Sequence, residues 1–177
     1  MISDREKRQR FNRYKESHKS HLLTSRFTND TWNENELFRE KNNNIKCVYC
    51  SPDLVQKDIP LNRNLFILEM NNSKNEIMGI GMVVNHAICN KYKIYSKENY
   101  NRYVYIGKNR IDKIEMSEKE KEVIEALEIL CFKGNRHMKR SQGLKSFPLK
   151  MLYNIYEGTK IDLILKIGEM FKTRLRT

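Results

Sequence analysis

The sequence contains no long hydrophobic run. No stretch approaches the roughly 18 apolar residues that indicate a transmembrane helix, and the mean hydropathy is −0.75 with 32% charged residues. The first ten residues, MISDREKRQR, also lack the apolar segment of a secretory signal. We therefore expect an intracellular, cytoplasmic protein without a membrane partner.

Motifs of common enzyme classes are absent as well. The chain has no GxSxG, P-loop, HExxH or paired-carboxylate arrangement. Glu69 is one of the few acids in an apolar context, and we expect it to face outward from a strand. The sequence therefore predicts a protein that is not an enzyme and needs no cofactor.

Cysteine is scarce, with four residues in the chain. Cys47 and Cys50 form a CxxC pair, and His86 and Cys89 form an HxxC pair, so together they match a Cys3His zinc set. However, Cys47 and Cys50 lie in a strand-like run, where their side chains would point to opposite faces. We predict buried thiols and no metal, with a zinc-stabilised interaction module as the alternative.

Positive charge is abundant. Thirty-four Lys and Arg against 22 Asp and Glu give a net charge of +12 and a pI near 9.5. Such a balance attracts polyanions in a salt-dependent, sequence-independent way. Nucleic acid is therefore the predicted partner, and one alternative is a protein that binds or packages DNA without sequence preference through charge alone.

Apolar periodicity predicts a mixed α/β (α+β) fold with a small, sharply bent, barrel-like sheet flanked by helices. Residues 1–20 are basic and aperiodic, which indicates a mobile arm, and residues 21–177 form one domain. Within it, LFILEM and EIMGIGMVV are joined by a polar turn and predict a β-hairpin. Ser117 starts a capping box before a helix that runs to about Phe132. One interrupted or two short helices around Gly158 end the chain.

Two glycines, Gly79 and Gly81, fall on the same face of the second hairpin strand. Glycine in a strand interior indicates either a sharp bend or the close approach of another group to the backbone. We favour the bend, because it agrees with a strongly curved sheet.

Aromatic and basic residues are interleaved between Tyr92 and Arg110. Stacking on aromatic rings, with cations on the phosphates, is how single-stranded nucleic acid is commonly held. A second basic segment, KGNRHMKRSQGLK at residues 133–145, follows the predicted helix and contains no acid. We call it the basic loop and predict that it binds phosphate.

The order of these segments resembles the YTH family and its EVE relatives, in the PUA-like superfamily. The resemblance rests on NNIKCVYCSPDLV, NLFILEMNNSKNEIMGIGMVV, YNRYVYIGKNRID and KRSQGLKSFP, and it spans roughly residues 21–150. In that family a Trp-Cys-Ser or Trp-Ser strand forms one wall of an aromatic cage for a modified base. Here Tyr49-Cys50-Ser51 stands in that place. The cage tryptophans are absent, and Trp32 falls in the early helix.

The resemblance implies an RNA-binding reader that inserts one modified or 5′-terminal nucleotide into an aromatic pocket. It implies a base pocket of Tyr49, Cys50, Ser51, Asn71, Tyr92, Tyr95 and Tyr100. The implied phosphate-binding residues are Arg110, Lys133, Arg136, His137, Lys139 and Arg140. The predicted partner is single-stranded RNA, and a protein partner is predicted at the C-terminal helices. The composition resembles that of proteins from large cytoplasmic DNA viruses, which implies the host cytoplasm.

Overall fold

A computed structural model describes residues 3–176 as five α-helices and eight β-strands. The helices are α1 Asp4–Ser17, α2 Asn29–Lys41, α3 Glu118–Phe132, α4 Leu149–Thr159 and α5 Leu163–Leu175. The strands are β1 His21–Phe27, β2 Cys47–Ser51, β3 Asn64–Asn71, β4 Glu76–Val84, β5 Ile88–Cys89, β6 Tyr103–Gly107, β7 Asn109–Asp112 and β8 Lys145–Ser146. The predicted arm and domain also include residues 1, 2 and 177, which lie outside the described residues.

Two sheets form the centre of the fold. The larger sheet has the strand order β7-β4-β3-β1-β8, and the smaller has the order β2-β6-β5. Among the strands of residues 3–176, only β1 and β3 pair in parallel, and α2 and β2 lie in the long crossover between them. The prediction of a mixed α/β fold with a helical C-terminus is confirmed. The barrel-like part is not, since the sheets do not close into a barrel.

The two faces of β3 bury different side chains, as strand alternation requires. Phe66 and Leu68 lie in the core under the helices α3, α4 and α5, whereas Leu65 and Ile67 lie in the core shared with α2 and the smaller sheet. The larger sheet is therefore apolar on both faces and forms the middle layer of the molecule.

The first helix packs on the domain, unlike the mobile arm predicted from its composition. Ser3 forms a capping box with Glu6, and Tyr14 is buried against Tyr153 and Tyr156 of α4. Because most of the helix is exposed and basic, its few aromatic contacts form no recognisable apolar periodicity in the sequence.

The last two helices also dock on this domain. Phe171 of α5 stacks on Phe66 of β3 with ring centroids 5.3 Å apart. The break between α4 and α5 lies at Lys160, which has a φ of 60°, and Gly158 is inside α4. Much of the apolar surface of α5 is covered by this domain. The protein partner expected at the C-terminal helices stays a prediction. None of the helices in residues 3–176 combines the length and apolar character needed to cross a membrane.

A buried polar cluster joins the two sheets and corrects the prediction for Glu69. This side chain is 1% exposed and faces inward at an irregularity in the β3–β4 pairing between Leu68 and Met70. Its carboxylate accepts a hydrogen bond from the Tyr49 hydroxyl at 2.7 Å and one from Arg110 Nη2 at 2.7 Å. A β-bulge re-aims a side chain in this way.

The strand glycines make room for this cluster. A Cβ on Gly81 would lie 1.9 Å from the Tyr49 hydroxyl oxygen, and one on Gly79 would lie 2.9 Å from both Glu69 Oε2 and Arg110 Nη2. Of the two explanations raised for these glycines, close approach of another group is therefore the one the contacts support.

Candidate functional site

A pocket of ≈ 220 Å³ opens where the ends of β1 and β2 meet two loops. One loop is the segment 92–101, and the other is the basic loop. We call this cavity the aromatic pocket. Its lining residues are Ser25, Arg26, Phe27, Thr28, Thr31, Cys50, Asn72, Tyr95, Lys97, Tyr100, Ser141, Gln142 and Gly143.

Asn101 holds the aromatic wall in place. Its carboxamide oxygen accepts hydrogen bonds from the backbone N–H groups of Ile94 and Tyr95, and its Nδ2 donates to the Tyr95 carbonyl at 2.7 Å. The rings of Tyr95 and Tyr100 then stand at 84° to each other, with centroids 6.4 Å apart. In this edge-to-face arrangement Tyr100 is half-buried and keeps ring surface that a flat group could contact, whereas Tyr95 is buried.

The Tyr95 ring is itself fixed from behind. Its hydroxyl accepts a hydrogen bond from Asn35 Nδ2 at 3.0 Å, and the residue is 6% exposed. Burial raises the pKa of Tyr95, with the charge of the Cys50 thiolate form as a smaller contribution. The phenol therefore stays protonated and neutral in the physiological pH range.

The basic loop forms the opposite wall because side chains of the sheet bind its backbone. Arg26 Nε donates to the Met138 carbonyl at 2.5 Å, and Asn72 Nδ2 donates to the Lys139 carbonyl at 3.0 Å. Further along, Gly143 has a φ of 68°, and a Cβ there would lie 2.2 Å from Ser51 Oγ. The loop thus has a defined position beside the pocket.

The electrostatic character of the pocket is positive. Arg26 and Lys97 are its charged lining residues, and no Asp or Glu is found among the described residues that line it. Burial lowers the pKa of the Arg26 guanidinium and raises the pKa of the Cys50 thiol to about 12. The arginine stays charged and the thiol stays neutral at pH 7, so the pocket favours neutral or anionic groups.

A larger, open cavity of ≈ 830 Å³ adjoins the aromatic pocket. The two share Lys97, Tyr100 and Gln142, and the larger one also contains Arg102. We call it the open groove. The shared residues place the open groove directly beside the aromatic pocket.

Of the predicted base-pocket residues, Cys50, Tyr95 and Tyr100 line the aromatic pocket. Tyr49 does not, because its ring is completely buried and its hydroxyl is bound to Glu69. Burial also raises its pKa well above the ordinary value of a tyrosine. The structure therefore places Tyr49 away from the aromatic pocket, in contact with Glu69.

Three further residues predicted for the base pocket have structural contacts instead. Ser51 Oγ accepts from the Leu144 N–H, behind the pocket wall. Asn71 is buried and accepts from the backbone N–H groups of the β3–β4 turn. Tyr92 packs edge-on against Phe38, with ring centroids 5.8 Å apart.

The predicted phosphate-binding residues separate into two groups. Lys133, Arg136 and Arg140 are exposed on the basic loop, and His137 and Lys139 are half-buried there. Arg110 lies elsewhere, with its side chain 8% exposed and ion-paired to Glu69 at 2.7 Å and to Asp112 at 2.8 Å. Although burial alone would lower it, the pKa of Arg110 is raised by these carboxylates, so this side chain is not available to phosphate.

The alternative of a zinc set finds no geometric support. Cys47 is buried and donates toward the Asn109 carbonyl, while Cys50 lies at the aromatic pocket and Cys89 is exposed. Across residues 3–176, no three His, Cys, Asp or Glu side chains are grouped so that they could hold a metal ion.

Sequence reasoning missed the residues that β1 and the β3–β4 turn contribute. Arg26 and Asn72 lie more than 40 positions apart, and the parallel pairing of β1 with β3 brings them to one wall. A single arginine inside the apolar run HLLTSRF was the available signal.

Comparison with models of protein families, with curated proteins and with solved structures finds no match for this chain.

Proposed function

We propose that this protein binds single-stranded RNA without acting on it chemically, by taking one nucleotide into the aromatic pocket. The observation that carries the proposal is the combination at one site of a tyrosine corner, two cations without a lining carboxylate, and a backbone-anchored basic loop.

The size of the pocket supports a single base as the occupant. At ≈ 220 Å³ it is smaller than the about 300–1,000 Å³ typical of sites for drug-sized ligands. A flat base would rest against Tyr100, which Tyr95 supports from the side. Stacking of this kind contributes about 1–3 kcal/mol per base.

The surrounding charge supports a strand that continues beyond the pocket. Lys97 and Arg102 line the open groove together with Asp53 and Glu98, and Arg136 and Arg140 are exposed on the basic loop. Flanking phosphates would lie on these cations, which fix the register of a strand but do not read its sequence. RNA is the proposed polymer because splayed, unpaired bases are the usual feature that proteins read in RNA.

The test is binding of short single-stranded RNAs and DNAs, plain and methylated, measured by fluorescence anisotropy at two salt concentrations. We expect Tyr100→Ala to weaken RNA binding by about 1–3 kcal/mol and to leave the salt slope unchanged. Arg140→Glu should weaken binding to all sequences and reduce the salt slope, because a phosphate contact is lost.

Tyr92→Ala is the matched control, since this tyrosine packs on Phe38 and does not line the pocket. Equal losses for the Tyr92 and Tyr100 variants would reject the aromatic pocket as the binding site. Binding that depends on salt alone, without any effect of Tyr100→Ala, would instead support the alternative of charge-driven DNA or RNA packaging by a protein of net charge +12.

A further inference from the structure

Arg26 is a half-buried cation whose hydrogen-bonding capacity is only partly used. Its Nε binds the Met138 carbonyl, but Nη1 is buried and has no hydrogen-bond partner. Within residues 3–176 no carboxylate forms a salt bridge with it, whereas Arg110 has two such partners. Buried charges in proteins are normally paired, because an unpaired one keeps its full desolvation penalty.

Asn72 leaves a complementary atom at the same wall. Its Nδ2 binds the Lys139 carbonyl, and its Oδ1 is buried without a partner. The two side chains are held by consecutive carbonyls, Met138 and Lys139, so they are neighbours along one edge of the basic loop. Arg26 and Asn72 thus both line the aromatic pocket, and each keeps one buried polar atom without a partner. Native proteins rarely leave such atoms unsatisfied.

We propose that the aromatic pocket takes the 5′-phosphorylated end of an RNA strand, with Arg26 binding the terminal phosphate and Asn72 Oδ1 accepting an N–H of the same nucleotide's base. This inference rests on the proposed function and adds the chemical identity of the group bound. An anion satisfies the arginine, for which no lining residue supplies a carboxylate.

The shape of the site explains why the phosphate is terminal. An internal phosphodiester has chain on both sides, and both would have to leave a cavity of only ≈ 220 Å³. A strand end needs one exit, and the open groove, which shares Lys97, Tyr100 and Gln142 with the pocket, supplies it. The absence of lining acids also disfavours a cationic methylated base.

The experiment compares one RNA sequence with a 5′-phosphate and with a 5′-hydroxyl, binding to the full chain and to three variants. We expect the full chain to prefer the phosphorylated RNA by about ten- to a hundredfold, the range for one hydrogen bond to a charged group. Arg26→Gln should abolish this preference, and Arg26→Lys should retain part of it. Arg140→Glu is the matched control, because it should weaken both RNAs equally.

The outcomes separate the two proposals. Tyr100-dependent RNA binding without any preference for the 5′-phosphate overturns the terminal-phosphate inference alone. Equal weakening of both RNAs by Arg26→Gln overturns it too, since it indicates an internal phosphate. RNA binding that no pocket variant affects overturns the proposed function itself.

A competition arm identifies the source of the phosphate. A nucleoside 5′-monophosphate should displace the phosphorylated RNA, and the corresponding nucleoside should not. Thermal unfolding of Arg26→Gln checks that the variant folds. Arg26→Lys, which keeps the charge, allows the comparison even if the glutamine variant is unstable.

Discussion

Glu69 provides the sharpest test of what holds the two sheets together. Its buried carboxylate binds the Tyr49 hydroxyl and also binds Arg110 through Nε and Nη2, at 3.0 and 2.7 Å. The substitution Glu69→Gln keeps the size of the side chain but removes the negative charge. Its amide N–H groups would then face donors on both sides, so at least one buried donor loses its acceptor.

The expected loss in the free energy of unfolding depends on which ion-pair partner Arg110 retains in the variant. Removing one partner of a buried ion pair costs about 3–5 kcal/mol. Arg110 would retain Asp112 at 2.8 Å, which is a third exposed and therefore a weaker partner. We expect the lower end of the range, about 3 kcal/mol, or roughly 6–12 °C in Tm for a chain of this size.

Urea unfolding followed by tryptophan fluorescence measures this change. Trp32 is the only tryptophan of the chain, and the Arg110 guanidinium lies 5.6 Å from its ring, so the signal reports on the cluster. Glu36→Gln is the matched control, because Glu36 is 47% exposed and 4.0 Å from its Arg39 partner. A loss below about 1 kcal/mol for Glu69→Gln, or equal losses for both variants, would refute the reasoning.

Three further predictions test the core, an acid-sensitive contact and the thiols. Gly81→Ala should destabilise the fold by about 1–3 kcal/mol in urea unfolding, because its Cβ would meet the Tyr49 ring. The double variant with Tyr49→Leu should lose less stability than the sum of the two single variants. Additive losses would argue against the contact. The pKa of Glu120 is lowered from 4.5 to about 2 by its hydrogen bonds with Arg174. The folded pKa is depressed, so the stabilisation is complete above about pH 5 and disappears as the pH falls toward 2. Unfolding of Glu120→Gln against the parent should show this convergence, and a constant difference would contradict it. Cys89 is exposed, whereas burial raises the pKa of each of the other three thiols to about 12. One thiol per chain should therefore react promptly with a thiol reagent at pH 8, and rapid labelling that persists in Cys89→Ser would contradict this assignment.

Local sequence signals predicted several elements well. The hairpin of β3 and β4, the capping box at Ser117 and the end of α3 at Phe132 all depend on residues close together in the chain. The first helix was harder, because its docking depends on Tyr14 meeting aromatic residues of α4 some 140 positions later. Such a contact leaves no periodic pattern in either segment.

Part of the candidate site could likewise be predicted from the local sequence, and part could not. The tyrosines of the 92–101 loop and the basic loop were visible as composition, and Tyr95 and Tyr100 do line one cavity. Tyr49 was misplaced because its neighbours along β2 do not reveal which face of the strand is buried under β4. Arg26 was missed because a lone arginine in an apolar strand does not indicate a binding role until the groups around it are known.

The sequence by itself determined the charge of this protein, the mixed α/β class and the positions of its main hairpin and its helices from Ser117 onward. These properties follow from composition and from periodicities over a few residues. Tertiary structure alone decided that Glu69 and Arg110 form a buried pair and that Arg26 and Asn72 share one wall of the aromatic pocket. The physical reason is that burial and pairing of a charge depend on strands distant in sequence, and parallel pairing of β1 with β3 brings those strands together.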